Sequence, residues 1–263
     1  MMDQLELEGG CAVVTGAGSG IGRALALEAA RRGLNVALSD IAPEALAETL
    51  AMVEAAGGSG MARTLDVRDA QGLELFARDV ENAFGSPALV FANAGVLKYG
   101  STIRPDLSVW RRTVEVNVLG PVNTVHAFLG RMVDAARPAQ FVITGSMGSL
   151  VSVPELASYT ASKHAMWALA DSLAIELADQ DAVGVSLLCP PRVDTPILNE
   201  SEARIRSAQG EEAARSLRRS AMTPAEVASC AFDGAIARRL YITQQIEGIA
   251  PLLRQRIAKL IDL

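Results

Sequence analysis

Short apolar runs alternate with longer segments of helical pattern along most of the chain. The apolar runs predict strands at residues 11–15, 35–39, 63–65, 88–92, 140–144, 183–189 and 241–242. The segments between them predict helices at residues 22–32, 43–56, 70–84, 106–132 and 159–178, with a last helix near the C-terminal end. Strands that are apolar on both faces and separated by helices indicate a parallel sheet covered on both sides. Right-handed crossovers then predict an α/β fold, a doubly wound parallel sheet with helices on both faces.

We expect a single domain over residues 1–263, because no internal repeat, low-complexity tract or linker rich in proline, glycine or serine interrupts this alternation. Half of the 263 residues are apolar, which is enough for a substantial core and excludes disorder. The least regular segment, residues 199–222, is polar, and its arginines alternate with glutamates as on a solvated helix face. It predicts either a mobile flap or a surface helix pair.

Composition and charge argue against several classes of function. The chain has 24 Lys and Arg against 30 Asp and Glu, a formal net charge of −6, which argues against nucleic acid as a partner. Three cysteines without CxxC spacing and two histidines argue against a disulfide framework and a metal site. No run approaches the roughly 18 apolar residues of a membrane span, so no membrane partner is expected. Residues 1–6 are acidic and lack the apolar region of a secretory signal, so we expect a cytoplasmic protein.

A glycine-rich turn, TGAGSGIG at residues 15–22, joins the first strand to the first helix. Its glycines let the chain turn tightly and let backbone N–H groups approach a pyrophosphate at the helix N-terminus. Asp40, at the end of the second strand, is placed to accept hydrogen bonds from an adenosine ribose diol. It would repel a 2′-phosphate, which favours NAD over NADP. The alternative is that Asp40 only caps the helix that begins near Pro43.

Tyr159 and Lys163 stand four residues apart where a helix begins, so both lie on one helical face. An ammonium near a phenol favours the phenolate and lowers the pKa of the tyrosine from about 10, which suits proton exchange near neutral pH. Ser146 follows the fifth strand, whose carboxyl end faces the ligand crevice of such a sheet, so its hydroxyl can hydrogen-bond a substrate oxygen. The tyrosine and lysine alone favour the simpler interpretation, a chance pair at an exposed helix start, and Ser146 changes this weighting.

Taken in order, these and further short motifs resemble the single-domain short-chain dehydrogenase/reductase family over nearly the whole chain. The set comprises TGAGSGIG at 15–22, Asp40, Leu65-Asp66-Val67, Asn93-Ala94-Gly95, Asn117, Ser146, Tyr159, Lys163, Pro190 and Thr195. The resemblance implies a Rossmann-type fold and hydride transfer between a nicotinamide cofactor and a substrate alcohol or ketone. Pro191 departs from the family pattern, which commonly has glycine at that position, and removes a backbone N–H donor.

The resemblance also implies the residues of the site. For cofactor binding it implies Gly16, Gly20, Ile21, Gly22, Asp40, Asp66, Val67, Asn93, Ala94, Gly95, Tyr159, Lys163, Pro190, Val193 and Thr195. For catalysis it implies Asn117, Ser146, Tyr159 and Lys163. Tyr159 then acts as the acid/base, and Ser146 positions the reacting oxygen. Lys163 holds the nicotinamide ribose and tunes Tyr159, while Asn117 supports a water and proton relay toward Lys163.

The function that we expect is NAD-dependent oxidoreduction of a hydrophobic secondary alcohol or ketone. Apolar side chains at residues 148–156 and in a substrate loop at about 191–222 favour an uncharged substrate. Two alternatives remain open: an NADPH-dependent ketoreductase, and a non-catalytic dinucleotide-binding sensor or scaffold. The resemblance further implies a homodimer, through helices around 113–132 and 159–178, or a homotetramer. A helical tail is expected at about 247–263.

Overall fold

The computed structural model describes Leu7 and residues 9–261. Residues 1–6, on which the expectation about a secretory signal rests, lie outside the described part, as does the end of the expected tail at 262–263. Within the described part the strands are β1 (Cys11–Thr15), β2 (Asn35–Asp40), β3 (Gly60–Thr64), β4 (Leu89–Ala92), β5 (Ala139–Thr144), β6 (Val183–Cys189) and β7 (Tyr241–Thr243). The α-helices there are α1 (Gly20–Arg31), α2 (Pro43–Ala55), α3 (Ala70–Phe84), α4 (Leu107–Val114), α5 (Gly120–Ala135), α6 (Ala157–Glu176), α7 (Leu198–Gln209), α8 (Glu211–Arg219), α9 (Pro224–Ile236) and α10 (Ala250–Ile261). A π-helical segment, Glu115–Leu119, joins α4 to α5.

The strands β1 to β7 form one parallel sheet with the order β3-β2-β1-β4-β5-β6-β7. This order confirms the predicted Rossmann-type, doubly wound α/β fold. The chain starts at β1, builds outward to β3, and then crosses back to β4 on the other side of β1. Because the crossovers diverge at β1 and β4, a crevice opens at the carboxyl ends of these strands. The segments that follow β1, β4, β5 and β6 therefore meet at one edge of the sheet.

Helices bury both faces of the sheet. In β1, Cys11 and Val13 face one buried cluster, whereas Ala12 and Val14 face the other, as the two-residue period of a strand requires. Helices α3, α5 and α6 cover the first face, and α1, α2 and α9 cover the second. The strands read as apolar on both sides because neither face of the sheet meets water.

One helix, α9, lies outside the helices that the sequence analysis predicts. A capping box begins it: Thr223 Oγ1 accepts a hydrogen bond from Glu226 N at 3.2 Å, and Glu226 Oε2 accepts one from Thr223 N at 2.8 Å. Pro224 occupies the first turn, where its missing N–H costs nothing. The sequence TPAE at 223–226 carries this signal, so α9 was predictable from local sequence alone.

Several other helices and strands differ in their bounds from the sequence-based prediction. Residues 199–222 form the helix pair α7 and α8, one of the two predicted alternatives. The helix expected over 106–132 is divided by the π-helical segment into α4 and α5. The third strand begins earlier than predicted, at Gly60, because residues 60–64 pair with β2. Helix α10 forms most of the expected tail.

Candidate active site

A cavity of about 530 Å³ opens at the carboxyl edge of the sheet. Its walls come mainly from the segments that follow β1, β2, β3, β4, β5 and β6, from α6 and from the start of α7. The predicted site residues that line it are Gly16, Gly20, Ile21, Gly22, Asp40, Asp66, Val67, Asn93, Ala94, Gly95, Ser146, Tyr159, Lys163, Pro190, Val193 and Thr195. Asn117 alone among the predicted site residues is absent from the lining. The fold therefore brings nearly the whole predicted set into one space.

The glycine-rich turn needs glycine for steric reasons at two positions. Gly16 has a φ of +68°, and a Cβ atom there would lie 2.8 Å from Ala94 Cα. A Cβ atom on Gly22 would lie 2.0 Å from Gly16 O. Any side chain at either position would push the turn away from β4 or from α1. The backbone of the turn is consequently exposed to the cavity at the N-terminus of α1.

Two side chains hold Gly18 in the middle of this turn. Gly18 N donates to Asp40 Oδ2 at 2.8 Å, and Gly18 O accepts a hydrogen bond from Arg23 Nη2 at 2.7 Å. The other carboxylate oxygen of Asp40 accepts a hydrogen bond from Ala42 N at 2.9 Å, immediately before α2. Asp40 thus lines the cavity and also supports the start of α2, so the two interpretations of this residue are compatible.

Asn93 ties together the ends of three strands. Its Nδ2 donates to Thr15 O at 3.1 Å, at the end of β1, and its Oδ1 accepts a hydrogen bond from Thr144 Oγ1 at 3.3 Å, at the end of β5. Asn93 itself follows β4. These bonds fix the floor of the cavity beside the glycine-rich turn.

Ser146 and Tyr159 lie together at the reactive end of the cavity. The side chains of Ser146 and Tyr159 interact, and Ser146 Oγ accepts a hydrogen bond from Gly148 N at 3.1 Å. Burial raises the pKa of Tyr159, and the interaction with Ser146 lowers it in part. The pKa shift expected from the sequence is therefore wrong in direction for this structure. The main reason is that burial disfavours the charged phenolate. Lys163 Nζ, 5.7 Å from the centre of the Tyr159 ring, donates to a backbone carbonyl instead.

Lys163 is a buried ammonium group on the same face of α6 as Tyr159, as predicted. Its Nζ donates to Thr144 O at 2.8 Å, and only 5% of the residue is exposed. Burial lowers the pKa of Lys163 to about 8. A Cβ atom on Gly95 would lie 3.6 Å from Nζ, so a glycine at this position keeps the space in front of the amine open.

Asn117 lies in the π-helical segment, fully buried behind the cavity wall. Its Oδ1 accepts a hydrogen bond from Val96 N at 2.8 Å, and its Nδ2 donates to Val96 O at 2.8 Å and to Ser162 Oγ at 3.1 Å. Ser162 Oγ in turn donates to Tyr159 O at 2.6 Å. Asn117 therefore holds the wall and α6 together. Its predicted place among the catalytic side chains, through a water and proton relay toward Lys163, stays a prediction.

Helix α7 closes the substrate end of the cavity. Ile197, Leu198 and Ser201 line this end together with Val151 and Val153. Across the cavity, Tyr99 from the segment after β4 completes the wall. Tyr99 belongs to no sequence motif, and only its position opposite α7 gives it a role. Leu150, although apolar and near Val151 in the sequence, is not part of the lining.

Backbone contacts tie the loop after β6 to the segment after β5 and to the segment after α8. Met147 N donates to Pro190 O at 3.0 Å, and Val193 forms a parallel bridge with Met222. Pro191 lines the cavity. In the described part of the chain no group of three or more His, Cys, Asp or Glu side chains is placed to hold a metal ion. Over the same residues no helix is long and apolar enough to cross a membrane.

Comparisons with known proteins identify the family. The family model for short chain dehydrogenases matches residues 10–206, so the chain belongs to this family and the predicted resemblance is confirmed. A 1-deoxy-11-beta-hydroxypentalenate dehydrogenase from Streptomyces exfoliatus is 39% identical over 198 residues, covering 74% of this chain and 71% of that protein. The probable oxidoreductase EphD of Mycobacterium tuberculosis is 37% identical over 185 residues, 70% of this chain. The matched region is 31% of EphD, so this chain spans about a third of that relative's length.

A solved structure extends the similarity to nearly the whole chain. It is a short chain dehydrogenase/reductase from Burkholderia phymatum in complex with NAD. The two chains share 33% sequence identity and superpose with a TM-score of 0.87, covering 97% of this chain and 95% of that chain.

Proposed function

We propose that this protein is an NAD-dependent oxidoreductase that transfers hydride between a hydrophobic secondary alcohol or ketone and nicotinamide, with Tyr159 as the acid/base. The observation that carries the proposal is one continuous cavity with Asp40 and the glycine-rich turn at one end and Ser146, Tyr159 and Lys163 at the other. Family membership supports the reaction class, and the NAD complex of the Burkholderia relative supports the cofactor.

The shape and chemistry of the cavity fit a dinucleotide. Gly16 and Gly22 leave a cradle that a Cβ atom would fill, and the exposed backbone N–H groups beside it suit a pyrophosphate. The Asp40 carboxylate suits a ribose diol and opposes the 2′-phosphate of NADP. Val193 and Thr195 line the cavity, and the family resemblance implies that they would contact the nicotinamide carboxamide. When bound, NAD supplies the acceptor or donor of the hydride.

The chain's own residues handle the proton and the orientation. In alcohol oxidation, Tyr159 takes the proton of the substrate hydroxyl while the carbinol carbon loses its hydrogen as hydride. Ser146 donates a hydrogen bond to the same substrate oxygen and so holds it beside the phenol. By the family resemblance, Lys163 would hold the nicotinamide ribose, and its Nζ is kept in place by the hydrogen bond to Thr144 O. Asn117 fixes the Val96 backbone, and its remaining oxygen lone pair is available for the predicted water relay.

The substrate end supports an uncharged, hydrophobic substrate, because aliphatic side chains make up most of its lining. The substrate loop at about 191–222 supplies several of them. Assembly as a homodimer or homotetramer, a cytoplasmic location and a single domain over residues 1–263 stay predictions.

Replacing Tyr159 by Phe tests the proposal. We expect Tyr159→Phe to lower kcat by at least about 100-fold, because the acid/base group is lost while the ring still fills its place. Absorbance of NADH, measured over a panel of secondary alcohols, gives the rate, and calorimetry gives the affinity for NAD, which we expect to be unchanged.

Tyr241→Phe is the matched control, since Tyr241 lies outside the cavity and bonds Trp167 Nε1 through its hydroxyl at 3.0 Å. Full turnover by Tyr159→Phe would contradict the acid/base role. NAD binding without turnover of any alcohol or ketone would favour the sensor, and tighter binding of NADPH than of NADH would favour the NADPH-dependent ketoreductase.

A further inference from the structure

A second pair of polar side chains lies at the substrate end of the cavity, in addition to Ser146 and Tyr159. The hydroxyl of Tyr99 lies 3.0 Å from Ser201 Oγ, and both residues are partly buried and line the cavity. Tyr99 follows β4, whereas Ser201 lies on α7, so the two hydroxyls meet from opposite walls. We call them the hydroxyl pair.

The hydroxyl pair has unused hydrogen-bond donor and acceptor sites. Each hydroxyl offers one donor and two acceptor sites, and the bond between them uses one donor and one acceptor. Among the described residues, neither hydroxyl has another hydrogen-bond partner. One donor and several acceptor sites thus remain for a third group. The surroundings do not supply that group, because the neighbouring lining is aliphatic: Val151, Val153, Leu156, Ile197 and Leu198.

The position of the Tyr99 ring is fixed by groups outside the cavity. The Arg204 guanidinium lies 5.1 Å from the centre of the ring and pairs with the carboxylate of Glu155. The backbone N of Tyr99 donates to Glu200 Oε1 at 3.1 Å, and the same oxygen lies 3.2 Å from Lys98 Nζ. Each charge near the ring has a partner of opposite sign, so this part of the cavity favours a neutral ligand group.

We propose that the hydroxyl pair is a second recognition point, which selects substrates carrying an uncharged oxygen, a carbonyl or a hydroxyl, remote from the reacting carbon. The inference rests on the proposed function and names its substrate class: an oxygenated hydrophobic alcohol or ketone. Aliphatic walls restrict such a molecule only weakly in orientation. A hydrogen bond at the far end sets which carbon faces Tyr159, so Tyr99 and Ser201 are specificity-determining residues.

Matched ketones test the proposal. The probes are a cyclic monoketone and the diketone whose second carbonyl lies at the opposite end of the ring, in a six-membered series and in a fused bicyclic series. The two series place the second oxygen at two distances. With NADH, we expect kcat/KM for the diketone to exceed that for the monoketone by about 5- to 10-fold in at least one series, the worth of one net hydrogen bond.

Tyr99→Phe and Ser201→Ala should reduce that ratio to about one, because each removes a hydroxyl of the pair. Phe keeps the ring beneath Arg204, and Tyr241→Phe, outside the cavity, should keep the ratio of the unchanged enzyme. Equal losses on monoketone and diketone would show that the pair only holds α7 in place, and would overturn the proposal. A ratio of one in the unchanged enzyme would overturn it too, as would preference for a ring ketone bearing a carboxylate.

A binding measurement separates this proposal from the proposed function. Calorimetry of the same ketones with the enzyme saturated by NADH requires no turnover. Tighter binding of the diketone, lost in Tyr99→Phe, would support the hydroxyl pair even if no ketone is reduced, in which case only the proposed reaction fails. Equal binding of monoketone and diketone would overturn the pair whether or not either ketone is reduced.

Discussion

Lys163 shows how a single residue combines a stability cost with a function. Its side chain is buried and its pKa is lowered from 10.5 to about 8. A depressed pKa means that the folded state binds the proton less tightly than the unfolded state does. Keeping the Lys163 ammonium buried beside Tyr159 therefore lowers the free energy of unfolding.

Replacing Lys163 by Met should remove one component of the pH dependence of stability. Above pH 10.5 the amine is neutral in both states and has no effect. As the pH falls toward 8 the unfolded chain takes up a proton that the folded chain does not, and below 8 the cost is constant. We expect the unfolding free energy of the unchanged protein to fall by about 3 kcal/mol over this interval relative to Lys163→Met.

Denaturant unfolding at several pH values, without cofactor, measures this difference. Subtracting the two curves cancels every other titrating group that the variants share. A difference that does not change between pH 8 and 10.5 would mean that the amine keeps its ordinary pKa in the fold.

Some residue roles could be predicted from local sequence and others could not, for a physical reason. Ser146 and Lys163 were accessible because each stands at a strand end or on a helix start, where local sequence sets direction. Tyr99 was not, because its role depends on Ser201 lying opposite it, and Asn117 was predicted only through the family resemblance. The shift of the Tyr159 pKa has the same origin, since burial is a property of the assembled cavity.

At the scale of the element, Arg218 links the helix pair α7–α8 to the loop after β6. Arg218, on α8, pairs with Asp194 in the loop after β6 and with Glu202 on α7, and its Nη2 donates to Asn199 Oδ1 at 2.8 Å. The alternation of arginine and glutamate predicts only a solvated face. Arg204 and Arg218 instead connect separate elements around the substrate end.

Removing Arg218 should loosen the wall formed by α7. We expect Arg218→Ala to raise KM for the alcohol or ketone by about 3- to 10-fold, with little change in the affinity for NAD, because the network orders α7 and not the glycine-rich turn. Steady-state kinetics with calorimetry for NAD measures both quantities.

Arg215→Ala is the matched control, since Arg215 is exposed and bonds only Glu211, at 3.2 Å within α8, among the described contacts. Equal increases of KM in both variants would contradict a role for the network and indicate a general effect of removing charge.

Local signals account for most elements but not for all. Strands and helices such as β1, β6 and α3 were predicted at their observed bounds, because a short apolar run and a helical pattern are properties of neighbouring residues. The π-helical segment carries no such signal. Its wider turn is maintained by tertiary contacts, among them the buried bonds of Asn117 to Val96.

At the scale of the whole molecule, distant parts of the chain share one core. Helix α9 packs against α1, and Phe232 from α9 lies 5.1 Å, centre to centre, from the ring of Phe91 in β4. Arg32 Nη2 lies 2.8 Å from Asp233 Oδ1, which adds an ion pair at the edge of the same contact. The sheet therefore cannot lose its C-terminal helices without exposing its centre.

This arrangement predicts cooperative unfolding. We expect Phe232→Ala to lower the unfolding free energy by about 3–5 kcal/mol, with far-ultraviolet circular dichroism and tryptophan fluorescence reporting the same midpoint. Ile103→Ala is the control, since Ile103 is 92% exposed and should change stability little. Two transitions with different midpoints would contradict a single domain.

The sequence by itself determined the doubly wound sheet, the glycine-rich turn and the order in which Asp40, Ser146, Tyr159 and Lys163 reach the carboxyl edge, since periodicity and turn chemistry act over a few residues. Only the tertiary structure decided which polar groups share the cavity. Tyr99 meets Ser201, and Asn117 meets Val96, across 102 and 21 positions of the chain. These contacts depend on how packed helices and strands approach one another in space. The local conformational preference of either residue does not determine which distant residue it will contact.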